Sequence, residues 1–196
     1  STPVNYARVV DPPTYLGGLF PLNGIQSGSG INQRVGRRCN FSSIYIRGST
    51  YQSVTAPTPT SAFAPRGCRI IVFVDKQANA TVPTVTELLQ GTRYDSVATT
   101  TWSTALNLSN AQRFHVIMDK QFVLQSTGPT WLQGGSVSHK IYKRINVSTQ
   151  YNAGTTGTYT DIQTGAIWIM LLCDPTAVTG QLPPAFEGTI RLRYVD

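Results

Sequence analysis

At 196 residues the chain is long enough for one substantial core and short enough to be a single domain. Only 13% of it is charged, and Lys+Arg 16 against Asp+Glu 9 leaves a net charge of +7. The surface this implies is mostly Ser, Thr, Asn and Gln with a positive excess, which favours a polyanionic partner. No apolar run reaches eighteen residues, so a soluble chain without a membrane span is expected. Cys39, Cys68 and Cys173 are too few and oddly counted for a disulfide framework, and they lack metal-ligand spacing, so they read as reduced core residues.

In chain order, Ser1 to Ile31 is rich in Pro, Gly, Ser and Asn without a sustained period. It reads as an N-terminal arm or extended lead-in over 1–31, ahead of a folded domain at 32–196, with Tyr6 to Val10 able to add an edge strand. Asn32 to Gly36 turns the chain into a strand over Cys39 to Gly48, ended by Arg47 and Gly48. Ser49 to Gly67, with its run TAPTPTSAFAP, reads as a surface loop. Cys68 to Val74 is apolar and β-branched, broken only by Arg69, and predicts a buried strand. Asp75 to Asn79 form a turn. Pro83 suits the first turn of a short helix carrying Val85, Leu88 and Leu89 and stopped by Gly91.

Further on, Trp102 and Leu106 are isolated anchors in a polar stretch, and Arg113 to Leu124 alternates through Phe114, Val116, Met118, Phe122 and Leu124, with a bend expected near Asp119 and Lys120. Gly128 to Gly135 is a turn region. Val137 to Val147 sets Ile141, Lys143, Ile145 and Val147 on one side and Lys140, Tyr142, Arg144 and Asn146 on the other. After a turn at Asn152 to Gly157 come the most apolar strand, Ala166 to Cys173, a loop at Thr176 to Pro184 and a last strand at Thr189 to Val195, where Arg191 and Arg193 share a face. Seven or eight strands with one short helix in a loop fit an all-β sandwich or barrel, and a jelly roll suits the loop lengths best.

Catalytic chemistry finds little purchase. His115 and His139 are the only histidines, too few for a cupin-type metal cluster, and Glu87 and Glu187 form no acid/base pair with a nearby aspartate, so no enzyme is expected. Gly28-Ser29-Gly30 neither follows a strand nor opens a helix and reads as a flexible connector, not a phosphate loop. Asp11, Asp161, Asp174 and Asp196 could donate oxygens to Ca²⁺ between subunits, but their spacing does not demand it, and no cofactor or metal is expected. What remains is binding. Arg37, Arg38, Arg47, Arg69, Lys140, Lys143, Arg144, Arg191 and Arg193 lie in or beside four strands that a jelly roll can bring into one sheet, where they would contact phosphates without reading sequence. The plainer reading is that they solubilise strand ends. Tyr45, Tyr142 and Tyr194 alternate with them and could stack on exposed bases, although such tyrosines more often pack between sheets. A carbohydrate-binding module using Trp102, Trp131 and Trp168 as sugar platforms is the rival, weakened by Trp168 lying in the most apolar strand.

Asn32-Gln33-Arg34-Val35-Gly36-Arg37-Arg38 and the Phe41 to Gly48 strand resemble the R-V-G-(K/R)-R segment and first long strand of geminivirus coat proteins and related capsid proteins of circular single-stranded DNA viruses. Residues 70 to 89, IIVFVDKQANATVPTVTELL, are similar to that family's strand, charged turn, Pro and helix. Ala111 to Lys120 resembles its R-F-x-V-x-x-D/R-K strand, Tyr151-Asn152 its Y-N turn, Gly165-Ala166 the start of its penultimate strand, and Ile190 to Asp196 its closing strand. The coat protein of satellite tobacco necrosis virus, which packages RNA, is similar through I-N-Q-R-x-G, P-T-V-x-E-(V/L)-L and R-F-x-(I/V). The resemblance implies an eight-stranded jelly roll of two four-stranded antiparallel sheets. It also implies a virion protein, assembled in the host nucleus or cytoplasm, whose sixty copies enclose a single-stranded genome in a T=1 shell, DNA being favoured over RNA. The 196 residues do not include the family's Arg/Lys-rich arm, and genome contact is expected of the folded domain.

Overall fold

The computed structural model describes residues 2–7, 18–52, 65–90, 102–125, 135–174 and 184–196, with backbone alone considered for 2–7. Nine strands run as β1 (Thr2–Ala7), β2 (Gly18–Pro21), β3 (Arg38–Tyr51), β4 (Arg66–Asp75), β5 (Phe114–Leu124), β6 (Ser136–Tyr151), β7 (Ile162–Thr164), β8 (Ala166–Cys173) and β9 (Ala185–Val195). They form two antiparallel sheets, ordered β1-β9-β3-β6-β7 and β2-β8-β4-β5. Setting aside the three-residue β7, each sheet has four strands. The chain crosses from sheet to sheet between β1 and β2, β2 and β3, β3 and β4, β5 and β6, β7 and β8, and β8 and β9, which is the double Greek key of a jelly roll.

The run of apolar residues in β4 follows from its place. It pairs with β8 on one side and β5 on the other, and all ten of its residues are buried. Its inner face joins the core through Cys68, Ile70 and Val72. Its outer face is covered by the 102–106 segment: Trp102 lies over Gly67, and Arg69 donates to the Trp102 and Thr104 carbonyls. A strand dry on both faces has no reason to alternate. Strand β8 is buried at all eight positions, with Trp168 at its centre.

The five-stranded sheet keeps one face to solvent, so β3, β6 and β9 alternate. A bulge at Ser42 shifts the β3 register between Phe41 and Ser43, so Cys39 and Phe41 point inward before it and Ile44 and Ile46 after it. Strand β3 does not end at Gly48, as its glycine suggested, but continues to Tyr51. Gly48 and Gly188 sit side by side across β3 and β9, each beneath the Phe186 ring, and a Cβ on Gly48 would lie 2.7 Å from the Gly188 Cα. This glycine makes room for a neighbour; it does not break a strand.

Residues 1–31, read as an arm able to add an edge strand, contain β1 and β2; β1 takes in Tyr6 and Ala7 of the expected Tyr6 to Val10 strand, and residues 8–10 lie outside the described residues. Two further expectations shift. Helix α1 (Val85–Leu88) is capped by Thr84, which accepts from the Glu87 amide while Glu87 accepts from the Thr84 amide, so Pro83 lies before the cap and not in the first turn. The irregularity in β5 falls where β4 slips register between Val72 and Phe73, opposite Met118 and Val116, and not at Asp119-Lys120. Gly91 and the expected loops at residues 55–64, 128–134 and 176–183 lie outside the described residues.

A buried amide closes the sandwich at one end. Asn23 donates to Thr149 Oγ1 (2.8 Å) and the Gly165 carbonyl (2.9 Å), accepts from the Ile167 amide (2.8 Å), and lends its own carbonyl to the Tyr151 hydroxyl (2.6 Å). It joins the β2–β3 loop to β6 and to the β7–β8 corner.

Substituting Gly188→Ala places a Cβ 2.5 Å from the Arg47 carbonyl oxygen and 2.7 Å from the Gly48 Cα, both backbone. The subunit should lose about 2 kcal/mol in urea unfolding, in line with overpacking costs. Unchanged stability would show that these two strands separate easily.

Candidate nucleic-acid interface

Successive side chains of a strand leave opposite faces, and neighbouring strands lie about 4.8 Å apart, so pairing register alone lays out the outer face of β9, β3 and β6. Three rows cross it: Arg193, Ser43 and Arg144; then Arg191, Tyr45 and Tyr142; then Thr189, Arg47 and Lys140. Arg47, Lys140, Arg144, Arg191 and Arg193 are exposed, Tyr142 is 57% exposed, and Tyr45 is half-buried between the two arms of its row. Arg38 joins the same face before the bulge, its Nε donating to Ser148 Oγ at 2.9 Å. Glu187, one row beyond, is the acidic residue this face carries among the described residues. The result is a positive plane with two exposed or half-exposed rings, suited to phosphates on its cations and to unpaired bases on its tyrosines.

The remaining residues of the expected patch go elsewhere. Arg69 is in the other sheet and 4% exposed. Its Nε and Nη2 grip both Asp119 oxygens (2.7 and 2.5 Å), and its Nη1 serves the Trp102 and Thr104 carbonyls, so it is a structural clamp and cannot reach a phosphate. Lys143 is exposed but takes the opposite side of β6 from Tyr142 and Arg144, in register with buried Ile44. Arg37 precedes β3 at the end of the sandwich, where its carbonyl accepts from the Tyr151 amide. Tyr194 is buried against Phe41, its hydroxyl donating to the Gln33 carbonyl at 3.0 Å, and offers no stacking surface. The sugar-platform alternative loses Trp168 to the core and Trp102 to its contact with Gly67, while Trp131 lies outside the described residues.

Two arginines of the sequence motifs hold the frame. Arg34 is buried and donates to the carbonyls of Ile25 (3.1 Å), Gly36 (2.8 Å) and Gly154 (2.5 Å), with its guanidinium 4.3 Å from the Tyr151 ring centre. The Gly28 to Gly30 stretch, read as a connector, is fixed beside it: the Gly28 amide bonds the Arg34 carbonyl, and the Gly30 amide bonds Gln33 Oε1. Arg113 forks onto Asp75 (3.0 and 2.8 Å) and reaches Glu87 (2.7 Å), tying the end of β4 to α1. The Thr84 amide holds the Glu87 carboxyl below its usual range, with help from Arg113 against the burial that would raise it.

Other titrating groups are structural in the same sense. Cys39, Cys68 and Cys173 are free thiols and buried. Burial, with Asp196 beside it, pushes the Cys39 thiol up to about 12, and the bond to Cys68, with burial, raises Cys173. Burial raises Asp196, but the amides of Gly36 and Val35, the Cys39 thiol and Arg34 outweigh it and leave the carboxyl below its ordinary value. Asp161 is buried, with Oδ2 accepting from the Gly157 amide and Thr156 Oγ1. Asp11 lies outside the described residues. Among these residues no three His, Cys, Asp or Glu side chains are placed to hold a metal, and no helix is long and apolar enough to cross a membrane.

The sequence profile of the geminivirus coat protein/nuclear export factor BR1 family matches residues 16–195, from ahead of β2 to the end of β9. A search of curated proteins gave no match.

Arg69→Met should cost the subunit about 2 kcal/mol, since it removes several charge-assisted bonds around a buried fork, whereas Arg191→Ala on the open face should change stability by less than about 0.5 kcal/mol. Equal losses in chemical denaturation would contradict the division between clamp and face. Separately, His139 is buried against Phe122 with Nε2 2.9 Å from Thr50 Oγ1, and burial, then the charge of Lys120, lowers it from 6.5 to about 4. The unfolded chain therefore takes up this proton first. His139 should cost stability as pH falls from about 6.5 to about 4 and add no further loss below that. In His139→Gln this part of the acid sensitivity should vanish from denaturation midpoints measured across that window.

Proposed function

Because the chain belongs to the geminivirus coat protein/nuclear export factor BR1 family, and is thus a viral coat protein and virion component, we propose that it builds a T=1 shell of sixty copies with the β9-β3-β6 face lining the interior against a single-stranded genome. The observation that carries this reading is the open basic face itself, where Arg191, Arg193, Arg144, Arg47 and Lys140 lie in adjacent rows around Tyr45 and Tyr142. Cations spaced this way neutralise phosphates whatever the base sequence, releasing counterions as they do so. The tyrosines add a preference for bases that are free to stack. No catalytic step is assigned to the chain.

Subunit contacts fit the loops at the ends of the sandwich. Val35, 83% exposed, sits where its amide bonds Asp196, next to exposed Val195, and Ile31 and Leu108 are equally open. Apolar side chains left wet in one subunit are covered when copies meet, and many modest interfaces related by symmetry make a stable shell. DNA is preferred over RNA from the likeness to coat proteins of circular single-stranded DNA viruses. A satellite-virus type of shell around RNA is the second reading, and assembly in the host nucleus or cytoplasm goes with either.

The test is sizing followed by extraction. The purified protein should elute as a megadalton particle containing nucleic acid that a DNA-specific nuclease digests. Arg191→Ala with Arg193→Ala should lower the 260/280 nm absorbance ratio of the particles and leave assembly largely intact. A persistent monomer sinks the shell, digestion by ribonuclease alone replaces DNA with RNA, and an unchanged absorbance ratio removes the genome from this face.

A further inference from the structure

A cleft lies between the two sheets, beside β7. Strand β7 pairs with Gln150 and Tyr151 of β6, its Ile162 and Gln163 carbonyls accept from the Ala80 and Asn79 amides, and at Gly165 the chain turns away into β8 with a φ of +72°. Glycine is needed there, since a Cβ would lie 2.3 Å from the Ser148 carbonyl oxygen. Short of that corner the edge of β6 faces the start of β5 and the end of β4 across a cavity of about 220 Å³. Buried Val74 and Val147 form its floor, and exposed Lys76, His115 and Asn146 stand around its rim.

The chemistry of that rim is one-sided. Lysine offers three N–H donors, asparagine two, and histidine at least one. No carboxylate lines the cavity. The acid next to Lys76 in sequence, Asp75, is wholly buried and committed to Arg113 through both oxygens and to the Gln77 amide. A rim of donors around a fixed positive charge, without a competing acid, is complementary to an oxyanion with several acceptor oxygens, and the two valines below can accept the carbon side of an ester.

We propose that this cleft binds a phosphate group, with Lys76 supplying the charge and His115 and Asn146 orienting the oxygens. The phosphate can come from the packaged strand or from a free phosphate ion.

Acetylation of lysines by a water-soluble active ester, read by peptide mass spectrometry, tests the site on the intact chain. At equal ionic strength against chloride, millimolar inorganic phosphate should lower Lys76 modification several-fold while leaving Lys140 unchanged, and so identify the free ion as a ligand. Protection by a single-stranded oligonucleotide alone would identify the strand's phosphate. In either case Asn146→Leu, which keeps Lys76 but removes two donors, should raise the concentration needed by about tenfold, the worth of one good charge-assisted bond. Protection by neither ligand, or protection that Asn146→Leu leaves untouched, overturns the proposal. The inorganic-phosphate arm needs no assembled particle, so a negative result there and a failure to form shells are separate outcomes.

Discussion

Strand β4 is dry on both faces, and that constraint organises the rest of the molecule. A strand so placed must be covered from outside, and the 102–106 segment does this through Trp102 and Thr104. Covering it buries charged residues, and each is met by a fork of opposite charge: Arg69 on Asp119, Asp75 on Arg113. A buried charge without such a partner costs several kcal/mol, so the helix, the covering segment and the start of β5 are tied to β4 by electrostatics as much as by packing. The same strand supplies Val74 to the cleft floor and ends in the turn that presents Lys76 at its rim.

The two sheets thereby divide the work. In one, the central strands β4 and β8 are dry on both faces and serve as the frame. The other packs one face on the core and leaves the opposite face to solvent, and the basic residues accumulate there. Arg191 and Tyr45, or Arg47 and Lys140, are far apart in the chain and adjacent in space because antiparallel pairing of β9, β3 and β6 aligns them. A plane of fixed strands holds these cations at set separations without ordering long loops, and a coat protein gains from that, since a genome of any sequence must find the same charges on every subunit.

The loops at one end are locked by hydrogen bonds of buried Asn23, Arg34 and Asp161 and of exposed Asp196 to the backbone, and together these fix the β2–β3 loop, the β6–β7 turn and the C-terminus against one another. Side chains such as Val35 and Val195 are therefore carried on firm supports, and their exposure is not a result of slack in the chain. Of these residues Arg34 stood in a recognised motif, but nothing in its neighbours distinguished a buried clamp from a phosphate contact.

What could be read from residues alone was what local pattern controls. The apolar run of β4 and β8, the alternation of β6 and β9, the short helix, the three reduced cysteines and the succession of motifs all depend on near neighbours in the chain. Which arginines face outward was decided by tertiary structure. Arg69 and Arg191 sit in similar β-like contexts, yet the sheet that receives the first is covered and the sheet that receives the second is open. Gly48 looked like a stop because its partner Gly188 is 140 residues away and becomes visible only in the register. Strand β1, with no period of its own, is a strand because β9 offers it an edge. Local preference sets what a segment can be; which face is wet, and which charges therefore stand in solvent, is a property of the packed sheets.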